Sequence, residues 1–435
     1  MAMFSIKGMR GFLASSTGVT CAAALALPLA PPAAAATASS APPVTSPTAR
    51  PEAYAPGATQ SLPLAPVARD RAPGAAEQGL RRRDVRHFSL VGVVWDSPAT
   101  ELHGRVEVRT RATATGTWSG WRELETHNAD HAADPGSPES ASGRVRGGTA
   151  PLWVGESDGV EVRVRAENAP GRARSAPPAA PLPTGLRLEL VDPGEGAPPP
   201  GDRAARSGAE PSVLPARPAL PARSAHPARQ RAAPHAGPRP SITTRRGWGA
   251  DEKLREKGFV YTKKVKTAFV HHSATGNNYR CSQAPSVIRG IYRYHVKSTG
   301  WRDLGYNFLV DKCGHIYEGR AGGVSKPVLG AHTLGFNANS MGIAVLGTYS
   351  SQKPSAAALK AIARLTAWKV GLYGGNPRGK TYLKSGGGNL YPKGRKVRLN
   401  VISGHRDGFA TNCPGQQLYA KLGTARAKAA AYQGR

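Results

Sequence analysis

Acidic residues and cysteines are both scarce in this chain. Against 59 Lys and Arg stand only 28 Asp and Glu, a formal net charge of +31 over 435 residues. Such an imbalance favours an anionic partner: nucleic acid, acidic lipid or an anionic wall polymer. No interleaved basic and aromatic motif is present, which argues against nucleic acid. Beyond the N-terminus no segment approaches the roughly 20 apolar residues of a membrane span. H-E-x-x-H and C-x-x-C are also missing, so neither common zinc signature applies. No internal repeat is present.

The N-terminus narrows the partner. Lys7 and Arg10 precede "GFLASSTGVTCAAALALPLAPPAAAA", a basic n-region, an apolar h-region and an Ala-rich stretch of the A-x-A kind. This pattern predicts a secretory signal over 1–36, cleaved near Ala34–Ala36. A secreted basic protein meets wall polymers rather than nucleic acid. Of four cysteines, Cys21 leaves with the signal, and Cys281, Cys313 and Cys413 remain. Three in an oxidising compartment make one pair and one odd thiol, and the odd thiol needs a reason.

Composition divides the rest. Residues 37–84 are rich in Ala, Pro, Ser and Thr and are expected to be disordered. From 85 to 192, runs such as "HFSLVGVVW" and "GVEVRVRAE" alternate with period two, which predicts a β-sandwich-like domain. Trp95, Trp118, Trp121 and Trp153 in it form either a sugar-stacking platform or, the favoured reading, core and sheet-face packing. Residues 193–240 return to Pro, Ala and Arg, a semi-stiff basic linker. The pattern over 241–435 is α/β. "TAFVHHS" and "VRLNVISGHRD" read as strands, "YNFLVDKCGHIYEGR" as a hairpin and "SMGIAVLGTYS" as another strand. One helix face is marked by Ile288, Ile291, Tyr292 and His295, and a second helix starts near Ser355.

Two motifs mislead. "GGNPRGKT" (374–381) fits a phosphate loop, but a helix precedes it where a strand is required. "HRDGFATN" (405–412) has the spacing of a kinase catalytic loop and none of that fold's other parts. His405 therefore serves something else. A catalytic zinc takes three protein ligands and leaves a position for water. The residues that suit it are His271 or His272, His405 and Cys413, with Cys413 kept from disulfide chemistry by the metal. By spacing alone this competes evenly with structural histidines and an unrecognised disulfide.

The stretches "FVHHSAT", "GWRDLGYNFLVDKCGHIYEGR", "GAHTLGFNANSMGIAVLG" and "GHRDGFATNCPG", taken in order, resemble the peptidoglycan recognition protein family, the zinc-dependent N-acetylmuramoyl-L-alanine amidase type-2 fold. The likeness covers roughly 241–432. Signal and domain order resemble secreted actinobacterial amidases. The resemblance implies a central mixed β-sheet flanked by helices. It implies zinc (Zn2+) held by His271, His405 and Cys413, with His272 turned to the opposite face of the strand. Tyr306 and Thr411 match the family's catalytic positions. His332 and Asn337 match its substrate side, and Gly300-Trp301 matches the pair associated with diaminopimelate-type stems. His295, on the inward stripe of its helix, suits either the groove or the core, and Arg320 suits either a stem-peptide carboxylate or a structural role. Ala344 stands where cytoplasmic relatives carry a glutamate base.

The activity so implied is that of a secreted, cell-wall-associated hydrolase. It cuts the amide between the lactyl group of N-acetylmuramic acid and L-alanine in peptidoglycan, with a zinc-activated water as nucleophile and Tyr306 stabilising the transition state. The alternative is a non-catalytic peptidoglycan-binding protein. A third, weaker reading is a wall-anchoring structural protein. With Cys413 given to the metal, and with family members pairing cysteines in this area, a Cys281–Cys313 disulfide is expected.

Overall fold

The computed structural model describes residues 57–67, 77–126, 129–167, 181–195 and 235–435. The expected signal segment and most of the expected 193–240 linker lie outside the described residues. Ala53–Arg435 form one compact unit. Its N-terminal part is built on an eight-stranded antiparallel sheet, and its C-terminal part on a mixed sheet of five strands.

In the N-terminal part, two long strands, Glu77–Trp95 and Leu152–Ala166, carry the sheet. They pair antiparallel with register shifts near Leu80, Asp84 and Phe88. Such bulges bend a long strand, so one hydrogen-bonded ladder wraps its own apolar face. Phe88, Val91, Val93, Val106, Val162 and Leu188 fill that interior. The sheet starts earlier than the composition predicts. Thr59–Pro63 lies inside the stretch expected to be disordered, yet it pairs residue for residue with Arg187–Val191. It is the outermost strand on that side. An edge strand tolerates Pro63, because one of its sides needs no donors.

The four tryptophans of this part divide into two pairs. Trp95 and Trp153 are buried in the core. Guanidinium groups cover the other two, with Arg82 4.8 Å over Trp118 and Arg163 3.9 Å over Trp121.

The C-terminal sheet runs in the order Ile316–Glu318, Phe308–Val310, Ser340–Val345, Thr267–His272, Ile402–Gly404. The last four strands are mutually parallel, and the first pairs antiparallel through the hairpin. Parallel strands covered on both faces read as continuous apolar runs, and Ala268, Val270, Ile343 and Val345 are fully buried. Helix Ala356–Gly371 covers one face. Ser355 caps it, its hydroxyl accepting from the Ala358 N–H at 3.0 Å. Helix Ala284–Arg293 covers the other face and runs into a π-helical turn, Tyr294–Ser298. This helix also belongs to the N-terminal part: Leu90, Val94, Trp153 and Val191 share one core with Val287, Ile288, Ile291 and Tyr294. The two sheets are therefore joined by buried apolar surface.

Candidate metal centre and groove

Two neighbouring strand ends bring the first histidines together. In the register, His271 pairs with Ala344, and the strand ending at Gly404 lies on the other side of Thr267–His272. Alternation sends His271 and His272 to opposite faces. The His271 ring lies 4.5 Å from that of His405, which opens the 3₁₀ turn after Gly404. His272 turns away: its Nδ1 accepts from the Tyr349 N–H at 3.2 Å, and its Nε2 lies 3.3 Å from the Glu125 carboxylate. Cys413 returns on the loop after the turn, and its Sγ is 3.8 Å from His271 Nδ1. Thr411 sets that loop, its hydroxyl accepting from the Cys413 N–H at 3.2 Å.

A fourth donor completes the group. His131, from the N-terminal part, places Nε2 3.7 Å from Cys413 Sγ. Its ring is 4.6 Å from His405 and 5.2 Å from His271. All four residues are buried, and one donor atom from each lies within 4.8 Å of the others. Nothing in the sequence reading singled out His131. The signal available was a cluster of acids and histidines, "HNADHAADPG", in a chain with very few acids.

The donor set suits a tetrahedral metal ion. Zinc bonds of about 2.0–2.1 Å to nitrogen and 2.3 Å to sulfur put such donors roughly 3.5 Å apart, close to the 3.7 and 3.8 Å from Cys413 Sγ to His131 and His271. His405 Nδ1 is buried without a hydrogen-bond partner, while its Nε2 is engaged by the Asp130 carbonyl at 3.1 Å. A buried orphan nitrogen on a residue grouped with three other donors is what a metal satisfies. Burial and the neighbouring imidazoles hold His271 well below the ordinary histidine range. Burial pulls His405 down to about 3, against the opposing Asp130 carboxylate. Both imidazoles therefore keep their lone pairs at neutral pH, the form in which histidine binds metal. Burial raises the Cys413 thiol, a direction that a bound cation reverses.

Tyr306 stands beside this cluster. Its ring is 5.5 Å from His271 and 5.9 Å from His295. Burial raises its phenol well above the usual value, so it keeps its proton and can donate. His295 accepts from the Gly305 N–H at 3.2 Å and stacks on Trp301 at 4.4 Å, both rings being buried. His332 is fully buried, and its N–H donates to Asn337 Oδ1 at 2.7 Å. Asn337 also accepts from the Thr333 N–H at 3.0 Å and so braces the loop beneath His271. Arg320 donates to the Leu304 carbonyl at 2.8 Å. Its two terminal nitrogens grip Glu139, from the N-terminal part, at 2.7 and 2.9 Å. Beside the cluster a cleft of about 640 Å³ is lined by residues of both parts, among them Glu125, His131, Arg406, Thr411 and Cys413.

Away from the site, Cys281 and Cys313 form a disulfide with Cα atoms 6.2 Å apart. It ties the start of helix Ala284–Arg293 to the hairpin turn. Among the described residues Cys413 is the free cysteine.

Comparison with known proteins matches residues 261–416 to the family described as N-acetylmuramoyl-L-alanine amidase. Residues 37–183 match the family described as Rv3811 N-terminal galactose-binding domain-like. The chain is 31% identical over 159 residues to peptidoglycan-recognition protein SC2 of Drosophila melanogaster, covering 36% of this chain and 72% of that protein. To the SC2 protein of Drosophila simulans it is 28% identical over 186 residues, covering 42% of this chain and 85% of that one. To a human N-acetylmuramoyl-L-alanine amidase it is 31% identical over 195 residues, covering 42% of this chain and 28% of that protein.

Proposed function

Because the chain belongs to the family of peptidoglycan recognition proteins and N-acetylmuramoyl-L-alanine amidases, we propose that it is a secreted, zinc-dependent amidase that cleaves the bond between the muramic acid lactyl group and L-alanine in peptidoglycan. One observation carries this reading: His271, His405 and Cys413 converge with lone pairs available, and Tyr306 stands at their edge with its proton retained. His271, His405 and Cys413 would hold zinc, which would supply a Lewis acid and a water acidic enough to react at neutral pH. Tyr306 hydrogen-bonds through its hydroxyl, keeping its proton, to the carbonyl oxygen as negative charge develops there. Thr411 fixes the loop that carries Cys413. Arg320 presents a planar pair of donors suited to a stem-peptide carboxylate, and its grip on Glu139 displays that geometry. Asn337 and His332 brace the loop beside His271. Gly300 and Trp301 support a diaminopimelate-type stem, by resemblance alone. The charge of +31 supports attachment to anionic wall polymers.

Treating purified diaminopimelate-type peptidoglycan with the protein tests the reaction. Free L-alanine amino groups are expected, lost on chelation and restored by zinc. New reducing ends without amines would mean a glycosidase and end the proposal.

A further inference from the structure

Two of the residues that the amidase reading assigns to substrate, Arg320 and Asn337, are in contact with another segment of the protein's own chain. The segment after strand Arg122–Leu124 leaves the N-terminal sheet and crosses the groove. It rejoins that sheet where Gly147 and Gly148 pair with Trp95 and Val94. Along the way it meets each pole of the site in turn. His131 enters the metal cluster. The Asp130 carbonyl accepts from His405 Nε2 at 3.1 Å and from the Leu334 N–H at 2.9 Å. The Ala132 carbonyl accepts from Asn337 Nδ2 at 3.0 Å. Asp134 accepts from the Gly335 N–H at 2.7 Å and from Asn337 Nδ2 at 2.8 Å. Glu139 occupies Arg320 bidentately and accepts from the Arg302 N–H at 3.1 Å.

These contacts are built, not incidental. Asp130, His131 and Glu139 are 3%, 6% and 4% exposed. The Asp130 carboxylate lies 2.7 Å from His131 Nδ1, which leaves Nε2 facing Cys413. A carboxylate on the far nitrogen is the usual support of a metal-binding histidine. The peptide carbonyls at 130 and 132 and the carboxylate at 139 follow one another as a substrate's peptide and acid groups would.

We infer that His131 is the fourth ligand of a closed metal centre, and that the segment 129–139 fills the groove as an internal substrate mimic, so that the folded chain is mostly latent and only the small fraction with this segment withdrawn turns over. The inference rests on the amidase reading. Four protein ligands make a site of the structural type, without the open position that a catalytic zinc keeps for water. Turnover then requires withdrawal of His131 and release of Glu139 from Arg320. The activating event is one that moves the N-terminal segment and leaves the ligands from the C-terminal sheet in place.

The test uses the full chain loaded with zinc, and X-ray absorption to count the ligands. Three imidazoles and one sulfur are expected in the wild type. His131→Ala should lose one imidazole and gain an oxygen scatterer. Release of amines from purified peptidoglycan should rise about 10-fold or more in His131→Ala, since apparent activity scales with the competent fraction. The double variant Asp134→Asn/Glu139→Gln leaves all four ligands in place and loosens the segment. It should also gain activity, which keeps the test decisive if His131→Ala folds poorly. A wild-type centre with two imidazoles and an oxygen overturns the inference, as does equal turnover in the wild type and both variants. In either case amine release by the wild type leaves the amidase reading standing. A chain that binds no zinc, or no variant that releases amines, overturns the amidase reading and the inference with it.

Discussion

Tyr306 is 4% exposed and lies among the imidazoles of His131, His271 and His295. Its protonated phenol is the group best placed to meet charge developing on a carbonyl beside the metal ligands. Tyr306→Phe keeps the ring, and with it the packing. Measured in a His131→Ala background, where the centre is open, it should lower kcat by about 10²–10³, the loss expected for one oxyanion donor. Metal analysis should find the zinc content unchanged. Full kcat in the variant would remove the hydroxyl from the chemistry. Spacing alone left the grouping of His271, His405 and Cys413 open, and it was the resemblance, carried by the short motifs that hold them and Tyr306, that drew the four together. His131 was not legible, since it lies 282 positions from the thiol it faces. No local pattern records a contact made across two sheets. The alternation at His271-His272 was legible for the opposite reason: a strand imposes it on any neighbours.

At the scale of elements, the regular strands and helices followed from period and capping. Ser355 starts its helix, and Asp311 closes its hairpin by accepting from the N–H groups of Cys313 and His315, each at 2.9 Å. The Thr59–Pro63 strand was missed because proline and alanine read as disorder, and only a partner strand more than a hundred residues away gives it a ladder. The segment 129–146 was missed more completely. Among its described residues it holds two 3₁₀ turns of three residues each and derives its order from polar contacts. Glu139 is its anchor. Burial opposes the charge of Glu139, but the Arg320 guanidinium outweighs burial and holds the carboxyl below its usual range. Its folded pKa is thus lower than its unfolded pKa. The stabilisation is fully present above the unfolded value, near 4.3, and is lost as pH falls through the folded value. Glu139→Gln should cost about 3 kcal/mol at pH 7, because a buried guanidinium loses its counter-charge. Denaturant titrations between pH 7 and pH 3 should show the gap between wild type and variant narrowing on acidification. A gap independent of pH would mean that the pair contributes nothing as ions.

At the scale of the whole molecule, the two sheets are held by one core, which runs through helix Ala284–Arg293. Leu90 of the N-terminal sheet is fully buried in it and lies against Gly290, where an added Cβ would meet Leu90 Cδ1 at 3.2 Å. Tyr294 reaches back across the same seam and donates to the Thr149 carbonyl at 3.0 Å. Ser298 donates to Glu189 at 2.9 Å. This shared surface holds the N-terminal part against the groove of the C-terminal part, so the segment 129–139 meets His271, His405 and Cys413 without a free search. It also makes the two parts one cooperative unit. Leu90→Ala leaves a cavity at the seam and should cost about 2–5 kcal/mol. Because the core is common, the loss should be felt on both sides. Amide hydrogen exchange should quicken together in strand Leu152–Ala166 and in strand Thr267–His272, and thermal unfolding should remain a single transition at a lower midpoint. Two separated transitions, with the C-terminal sheet melting at its wild-type temperature, would show that the parts fold independently. The closed groove would then depend on the polar contacts of Asp134 and Glu139 alone.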